Sequence, residues 1–116
     1  MIIYRQQYEQ IETATRRDFL TQLEGYVRRK NPSALSNTPR EAVPAKLNAS
    51  INKAGTFGLD RELEVERFVT VDLALGSDAP RFFARQDVKA VQHDRHRAAA
   101  ERVGKLELLA QASSGR

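Results

Sequence analysis

The sequence lacks cysteine and tryptophan, and no apolar run approaches the roughly 18 residues of a membrane span. Without cysteine the chain has no disulfide, no thiolate nucleophile and no cysteine-ligated zinc site. The segment Met1–Gln6 has no basic stretch followed by an apolar run, so we do not expect a signal peptide. Together these absences predict a cytoplasmic protein that does not associate with membranes.

The sequence has an ordinary globular balance, with 41% hydrophobic and 29% charged residues among 116. A chain of this length fits one domain with its own core. We expect that domain over residues 1–112 and a frayed tail over residues 113–116. The net charge of +4 is mildly basic, which allows an acidic partner but does not require one.

The first strong segment, residues 15–30, has the three-and-four spacing of a helix with one apolar face. Thr15 and Asp18 resemble a capping box at its start. The apolar spacing over residues 4–11 fits either an earlier turn or a continuous extension of this helix. The predicted apolar face consists of Phe19, Leu20, Leu23, Tyr26 and Val27.

A second helix is predicted after Thr38-Pro39, which has the pattern of a cap followed by proline at the first helical position. Pro44 either kinks this helix or marks its true beginning. Gly55 is the predicted end, because glycine is favoured just beyond a helix C-terminus.

A third helix is predicted from its cap at Asp60 to Gly76. It is apolar on more than one side, which places it at the centre of the fold. Val69–Val71 would also suit a strand, but no partner strand is evident, so we prefer a helix. A short segment over residues 77–91 and a last helix over residues 94–112 follow. This pattern predicts an all-α fold, a compact bundle of four to five short helices.

The one candidate metal cluster is His93, Asp94 and His96, whose histidines are three residues apart and could share a helix face. Zinc needs a third or fourth ligand from elsewhere, and the sequence contains no other histidine and no cysteine. A polar, solvated helix start explains these residues better. We therefore predict neither a metal nor another cofactor.

The candidate catalytic patterns are also weak. Glu62, Glu64 and Glu66 alternate, which spreads carboxylates around a helix, so a solvated first turn explains them better than catalysis. No serine lies in a Gly-x-Ser-x-Gly turn, and Gly55–Gly58 lacks the Lys-Ser/Thr ending of a phosphate loop. We therefore predict that the protein is not an enzyme.

Basic residues gather late in the chain, but acidic residues lie between them. A helix that binds nucleic acid would need a cleaner basic stripe, so the mixed signs favour a solvated face. The basic residues are Arg85, Lys89, Arg95, Arg97, Arg102 and Lys105, and the acidic residues are Asp87, Asp94 and Glu101.

A series of motifs begins at the connector Ile51–Leu59, which contains alanine, an aromatic residue, glycine and leucine in order. An acidic helix with Val65–Val69 follows, and then the apolar run Leu73–Gly76 and the pair Phe82-Phe83. This order resembles a family of small helical proteins encoded beside type VI secretion effector genes in Gram-negative bacteria. The resemblance covers roughly residues 15–83, because the earlier helix with Phe19, Leu20, Leu23 and Pro32 fits the opening element of the family. Pro44 in the second helix and the lack of a late tryptophan depart from the family pattern.

The resemblance implies an accessory protein, or co-chaperone, that works with an adaptor chaperone to load a toxic effector onto the VgrG–PAAR spike. Such a protein would bind its partner stoichiometrically, through a few apolar anchors and with charge helping the register. Our candidates for the partner-facing surface are Phe57, Leu59, Phe82 and Phe83, with Arg81 and Arg85 at its rim. The alternative is that the four apolar residues belong to the core.

Two other functional classes fit the same sequence. One is an immunity protein that binds and neutralises a cognate toxin. The other is a small basic regulator that binds nucleic acid, which the mixed charge pattern disfavours.

Overall fold

A computed structural model describes residues 13–94 and 96–114, with side chains described over 18–94 and 96–112. Every regular element in these ranges is helical and none is a strand, which confirms the predicted all-α bundle. Two single 3₁₀ turns, Arg40–Ala42 and Gly76–Asp78, lie between the α-helices. The α-helices are α1 (Thr13–Lys30), α2 (Val43–Thr56), α3 (Glu62–Leu75), α4 (Ala79–Phe83), α5 (Gln86–His93) and α6 (Ala99–Ser114).

Helix α3 lies at the centre of the bundle, as its apolar pattern on several sides predicts. It packs against α1, α2, α4 and α6. Phe68 and Val69 of α3 are fully buried, and burying a side chain of this kind stabilises the fold by about 1.5–3 kcal/mol. The surrounding helices complete the core with Leu23, Val27, Leu47, Val88, Val103 and Leu106.

The start of α2 decides between the two interpretations of Pro44. The helix begins at Val43, so Pro44 occupies its first turn, where a missing N–H leaves no helical hydrogen bond unmade. Thr38-Pro39 precedes a 3₁₀ turn rather than an α-helix, so the predicted start of this helix is wrong. The Thr38 hydroxyl instead accepts a hydrogen bond from Lys46 Nζ at 3.1 Å.

The end of α2 is a Schellman motif. The Leu59 amide donates to the Ala54 carbonyl at 3.2 Å, and the Gly58 amide donates to the Gly55 carbonyl at 3.0 Å. Gly58 has a φ of 73°, which a residue without a Cβ adopts at little cost. Because the motif turns the chain back on the helix, it directs Phe57 and Leu59 into the core.

Several predicted helix ends differ from the structure. Helix α3 follows Arg61 without a side-chain cap, so the predicted cap at Asp60 is wrong, whereas Gly76 does end this helix. Thr15 lies inside α1 rather than at its start, and α6 begins five residues later than predicted, at Ala99.

The described residues begin at Thr13 in α1 and end at Ser114 in α6. The helical backbone of α6 continues through Ser114, and the frayed tail over residues 113–116 stays a prediction. The predicted turn over residues 4–11 lies outside the described residues, as do residues 115 and 116. Within the described residues, no helix combines the length and the apolar character that crossing a bilayer requires.

Candidate partner-binding cleft

The structure brings the predicted partner-facing residues together but buries three of them. Phe57, Leu59 and Phe82 are each 3% exposed, so the core alternative is correct for these three. The Phe57 ring packs against Phe68, with the ring centroids 5.1 Å apart. These side chains therefore hold α2, α3 and α4 together and cannot anchor a partner in this conformation.

Phe83 is the remaining aromatic candidate, and it is half-buried. Its ring centroid lies 5.8 Å from that of Phe57, 5.6 Å from that of Phe68 and 5.1 Å from that of Phe82. Lys53 Nζ lies 5.0 Å from the same ring centroid, in the geometry of a cation–π contact. Phe83 thus closes the outer edge of an aromatic cluster rather than standing free on the surface.

The two predicted rim arginines make local ion pairs. Arg81 lies 3.2 Å from Asp78 and is strongly exposed, so this pair contributes little to stability. Arg85 makes two hydrogen bonds to Asp87, of 3.0 and 2.6 Å, and this contact lowers the pKa of the Asp87 carboxyl. Charges of both signs therefore alternate here, as the sequence pattern indicates.

The histidine cluster does not assemble on one helix. Helix α5 ends at His93, so His96 lies in the connector to α6, and both side chains are exposed. The Asp94 carboxylate accepts a hydrogen bond from Arg97 Nε at 2.9 Å. Within the part of the chain that the structure describes, no three histidine or carboxylate side chains come together as a metal site.

The solvated interpretation is wrong for two of the three glutamates at the start of α3. Glu64 and Glu66 are each 7% exposed, because helices packed against α3 cover both positions. Glu66 accepts a hydrogen bond from Gln22 Nε2 of α1 at 3.0 Å. This carboxylate therefore links α1 to α3.

A polar cluster that the sequence pattern does not reveal joins α2 to α3. Asp72 accepts hydrogen bonds from Ser50 Oγ at 2.7 Å and from Lys53 Nζ at 2.8 Å. Ser50 and Lys53 are one helical turn apart and both face α3. Ser50 is 2% exposed and its hydroxyl proton is directed at Asp72, so we assign this cluster to helix packing rather than to nucleophilic chemistry.

A cleft of about 530 Å³ lies between α1, α3 and α6, on a different side of α3 from the aromatic cluster. Its volume falls within the range of about 300–1,000 Å³ that is usual for binding pockets. The lining of the cleft contains both apolar and polar side chains. The cleft is lined by Tyr26, Lys30, Asn31, Arg67, Thr70, Val71, Ala74, Leu75, Glu107, Ala110 and Gln111.

A bidentate ion pair crosses the cleft from α3 to α6. Arg67 donates to Glu107 through Nε at 3.0 Å and through Nη2 at 2.6 Å. This hydrogen bonding raises the pKa of Arg67, so its charge is permanent. Arg67 passes over Gly104, where a Cβ would lie 3.5 Å from Nη2. The pair fixes the spacing of the two helices that form the walls.

Tyr26 forms the α1 wall, with Lys30 Nζ 5.7 Å from its ring centroid. Desolvation raises the pKa of the Tyr26 phenol, and the nearby Glu66 and Glu107 raise it further. The unfolded chain therefore releases this proton at a lower pH than the folded chain. We expect the free energy of unfolding to fall as the pH rises above about 10.

Ultraviolet titration of the phenolate band, compared between the wild type and Tyr26→Phe, tests this expectation. The component that the variant loses should have a midpoint above the ordinary value of about 10. A lost component with a midpoint at or below that value would contradict the partly buried position of Tyr26 beside Glu66 and Glu107.

Comparison of the chain with family models, with curated proteins and with solved structures gives no match. The function is therefore inferred from the sequence and geometry of the chain itself.

Proposed function

We propose that this chain is a non-catalytic accessory protein that binds another protein through the cleft between α1, α3 and α6. As a co-chaperone or adaptor, it would help to load a type VI secretion effector onto the VgrG–PAAR spike in the bacterial cytoplasm. The protein-binding part of the proposal is supported by the cleft, and the type VI part by the resemblance of the motifs over roughly residues 15–83.

The observation that carries the proposal is the composition of this cleft. Val71, Leu75 and Ala110 supply apolar contact area, and Tyr26 supplies a ring with a polar end. Recognition sites combine such apolar surface with a few placed polar groups, because apolar contact gives affinity and polar contact gives register. The Arg67–Glu107 pair supplies the placed polar groups.

The mechanism is stoichiometric. The cleft would cover an apolar segment of the effector or of its adaptor chaperone and release it at handover to the spike. No bond needs to form or break in this process, and the affinity must be moderate so that the partner can leave. The aromatic cluster around Phe68 keeps the helices in place while the cleft is occupied.

Purification of the tagged chain from its native cells, followed by mass spectrometry, tests the proposed function. Recovery of a VgrG protein, a PAAR protein or an adaptor chaperone in stoichiometric amount would support it. Recovery of nucleic acid alone, lost at higher salt, would contradict it and favour a regulator.

A toxicity assay separates the co-chaperone from an immunity protein. This chain is expressed together with the effector that the purification captures. If the chain is a co-chaperone, it need not restore growth. Full rescue of growth by this chain alone, without the adaptor chaperone, would contradict the proposal and favour direct neutralisation of a toxin.

A further inference from the structure

We propose that the cleft binds one amphipathic helix of the partner, with apolar side chains against its floor and acidic residues facing the end of α1. This inference rests on the proposed protein-binding function and names the feature of the partner that the chain recognises.

The exposed side of α3 has the length of a helix-binding surface. Leu63, Arg67 and Ala74 lie on this side, since they are four and then seven residues apart. At a rise of 1.5 Å per residue, the distance from Leu63 to Ala74 is about 16 Å, or three helical turns. Leu63 is 55% exposed and lies one turn beyond the cleft lining. A small molecule in the cleft would leave Leu63 uncovered, whereas a helix of three to four turns would cover it.

The floor of the cleft has space for large side chains. Ala74 and Ala110 contribute only methyl groups, on facing helices, with Val71 and Leu75 beside them. Small residues at such positions leave room for leucine or phenylalanine side chains from a partner. Helix-in-groove recognition places such anchors at every third or fourth residue of the bound helix.

The charge of the cleft favours an acidic helix. The charged lining residues are two cations, Lys30 and Arg67, and one anion, Glu107. Because Glu107 is bound to Arg67, Lys30 remains as the net charge, and Arg29 adds a second exposed cation in the same turn. Acidic side chains that flank the apolar stripe of a partner would be attracted to this end, and basic ones would be repelled.

Two fluorescein-labelled peptides of 18 residues test the inference by fluorescence anisotropy. One has leucine along one helical face and glutamate on both sides of it, and the other has lysine at every glutamate position. We expect the acidic peptide to bind the full chain about tenfold more tightly than the basic one. The Lys30→Glu variant should lose about fivefold of this affinity at low salt and less at high salt.

A matched pair of variants locates the binding site. Ala74→Glu places a carboxylate on the cleft floor and should weaken binding of the acidic peptide by about tenfold or more. Ala90→Glu makes the same change at an exposed position of α5 outside the cleft and should leave binding unchanged. Both alanines are exposed, so both variants should keep the wild-type fold, which circular dichroism checks.

Equal binding of the two peptides, binding of neither, or equal effects of Ala74→Glu and Ala90→Glu would overturn the inference. So would a wild-type dimer that Ala74→Glu dissociates, because the occupant would then be a second copy of the chain. Saturation of the cleft by an apolar dye without peptide binding would assign it to a small molecule instead. If both variants still recover a type VI partner from cells, the cleft assignment fails while the accessory role in type VI secretion stands.

Discussion

Replacing Phe68 with alanine should lower the free energy of unfolding by about 3–5 kcal/mol. Phe68 is fully buried on the central helix, and its ring lies 5.1 Å from Phe57 and 5.6 Å from Phe83, measured between centroids. Removing it opens a cavity among α2, α3 and α4, and the other rings lose their common contact. Denaturant unfolding, followed by circular dichroism, measures the change.

Phe68→Leu is the control for this prediction. It keeps most of the volume and apolar character of the side chain, so it should cost about 1–2 kcal/mol. A domain of this size has a total stability of about 5–15 kcal/mol, so the alanine variant should unfold at a clearly lower denaturant concentration. A loss below about 1 kcal/mol for Phe68→Ala would contradict the aromatic cluster as the centre of packing.

Replacing Asp72 with alanine should lower the free energy of unfolding by about 2–3 kcal/mol. The change leaves the buried Ser50 hydroxyl without the carboxylate that accepts its hydrogen bond. Lys53 also loses its partner, but its side chain is 40% exposed, so water screens most of that loss. The larger share of the effect therefore comes from Ser50.

Two further variants serve as controls for the Asp72 prediction. Asp78→Ala removes an exposed ion pair with Arg81 and should change stability by no more than about 0.5 kcal/mol. Adding Ser50→Ala to Asp72→Ala removes the unsatisfied hydroxyl and should recover part of the loss. Equal costs for Asp72→Ala and Asp78→Ala would contradict the role of the buried cluster in joining α2 to α3.

The four long helices and the central place of α3 could be predicted because the apolar spacing is strong in those segments, whereas α4 and most of α5 lie in residues 77–91, for which the pattern predicts only a short segment. The helix ends were less predictable. Thr15 and Asp60 have the side chains of good caps, but such residues are also common inside helices and in loops. Proline favours the first turn of a helix, but the chain offers this pattern at both Pro39 and Pro44, and only Pro44 lies in the first turn of α2.

The cleft was not predictable from the sequence because its residues come from three helices. Arg67 and Glu107 are forty positions apart, and their pairing depends on which helices are neighbours. The surface position predicted for the apolar residues of the connector was wrong for a related reason. Its hydrophobicity makes Phe57 a candidate for contact with a partner. The Schellman motif at the end of α2, however, directs its side chain into the core.

The separation of core and cleft has a practical consequence. The aromatic cluster and Asp72 join α2, α3 and α4, whereas the cleft uses α1, the other side of α3, and α6. Variants of Phe68 or Asp72 should therefore change stability, and variants of Ala74 or Lys30 should change binding with little change in stability. This separation allows the binding surface to be altered in a chain that stays folded.

Hydrogen exchange on the chain, measured with and without its captured partner, tests the central claim most directly. We predict slower exchange over residues 26–31, 67–75 and 107–111, which form the cleft, and unchanged exchange over residues 79–93. Protection confined to residues 79–93, with exchange at the cleft unaltered, would contradict binding through this surface.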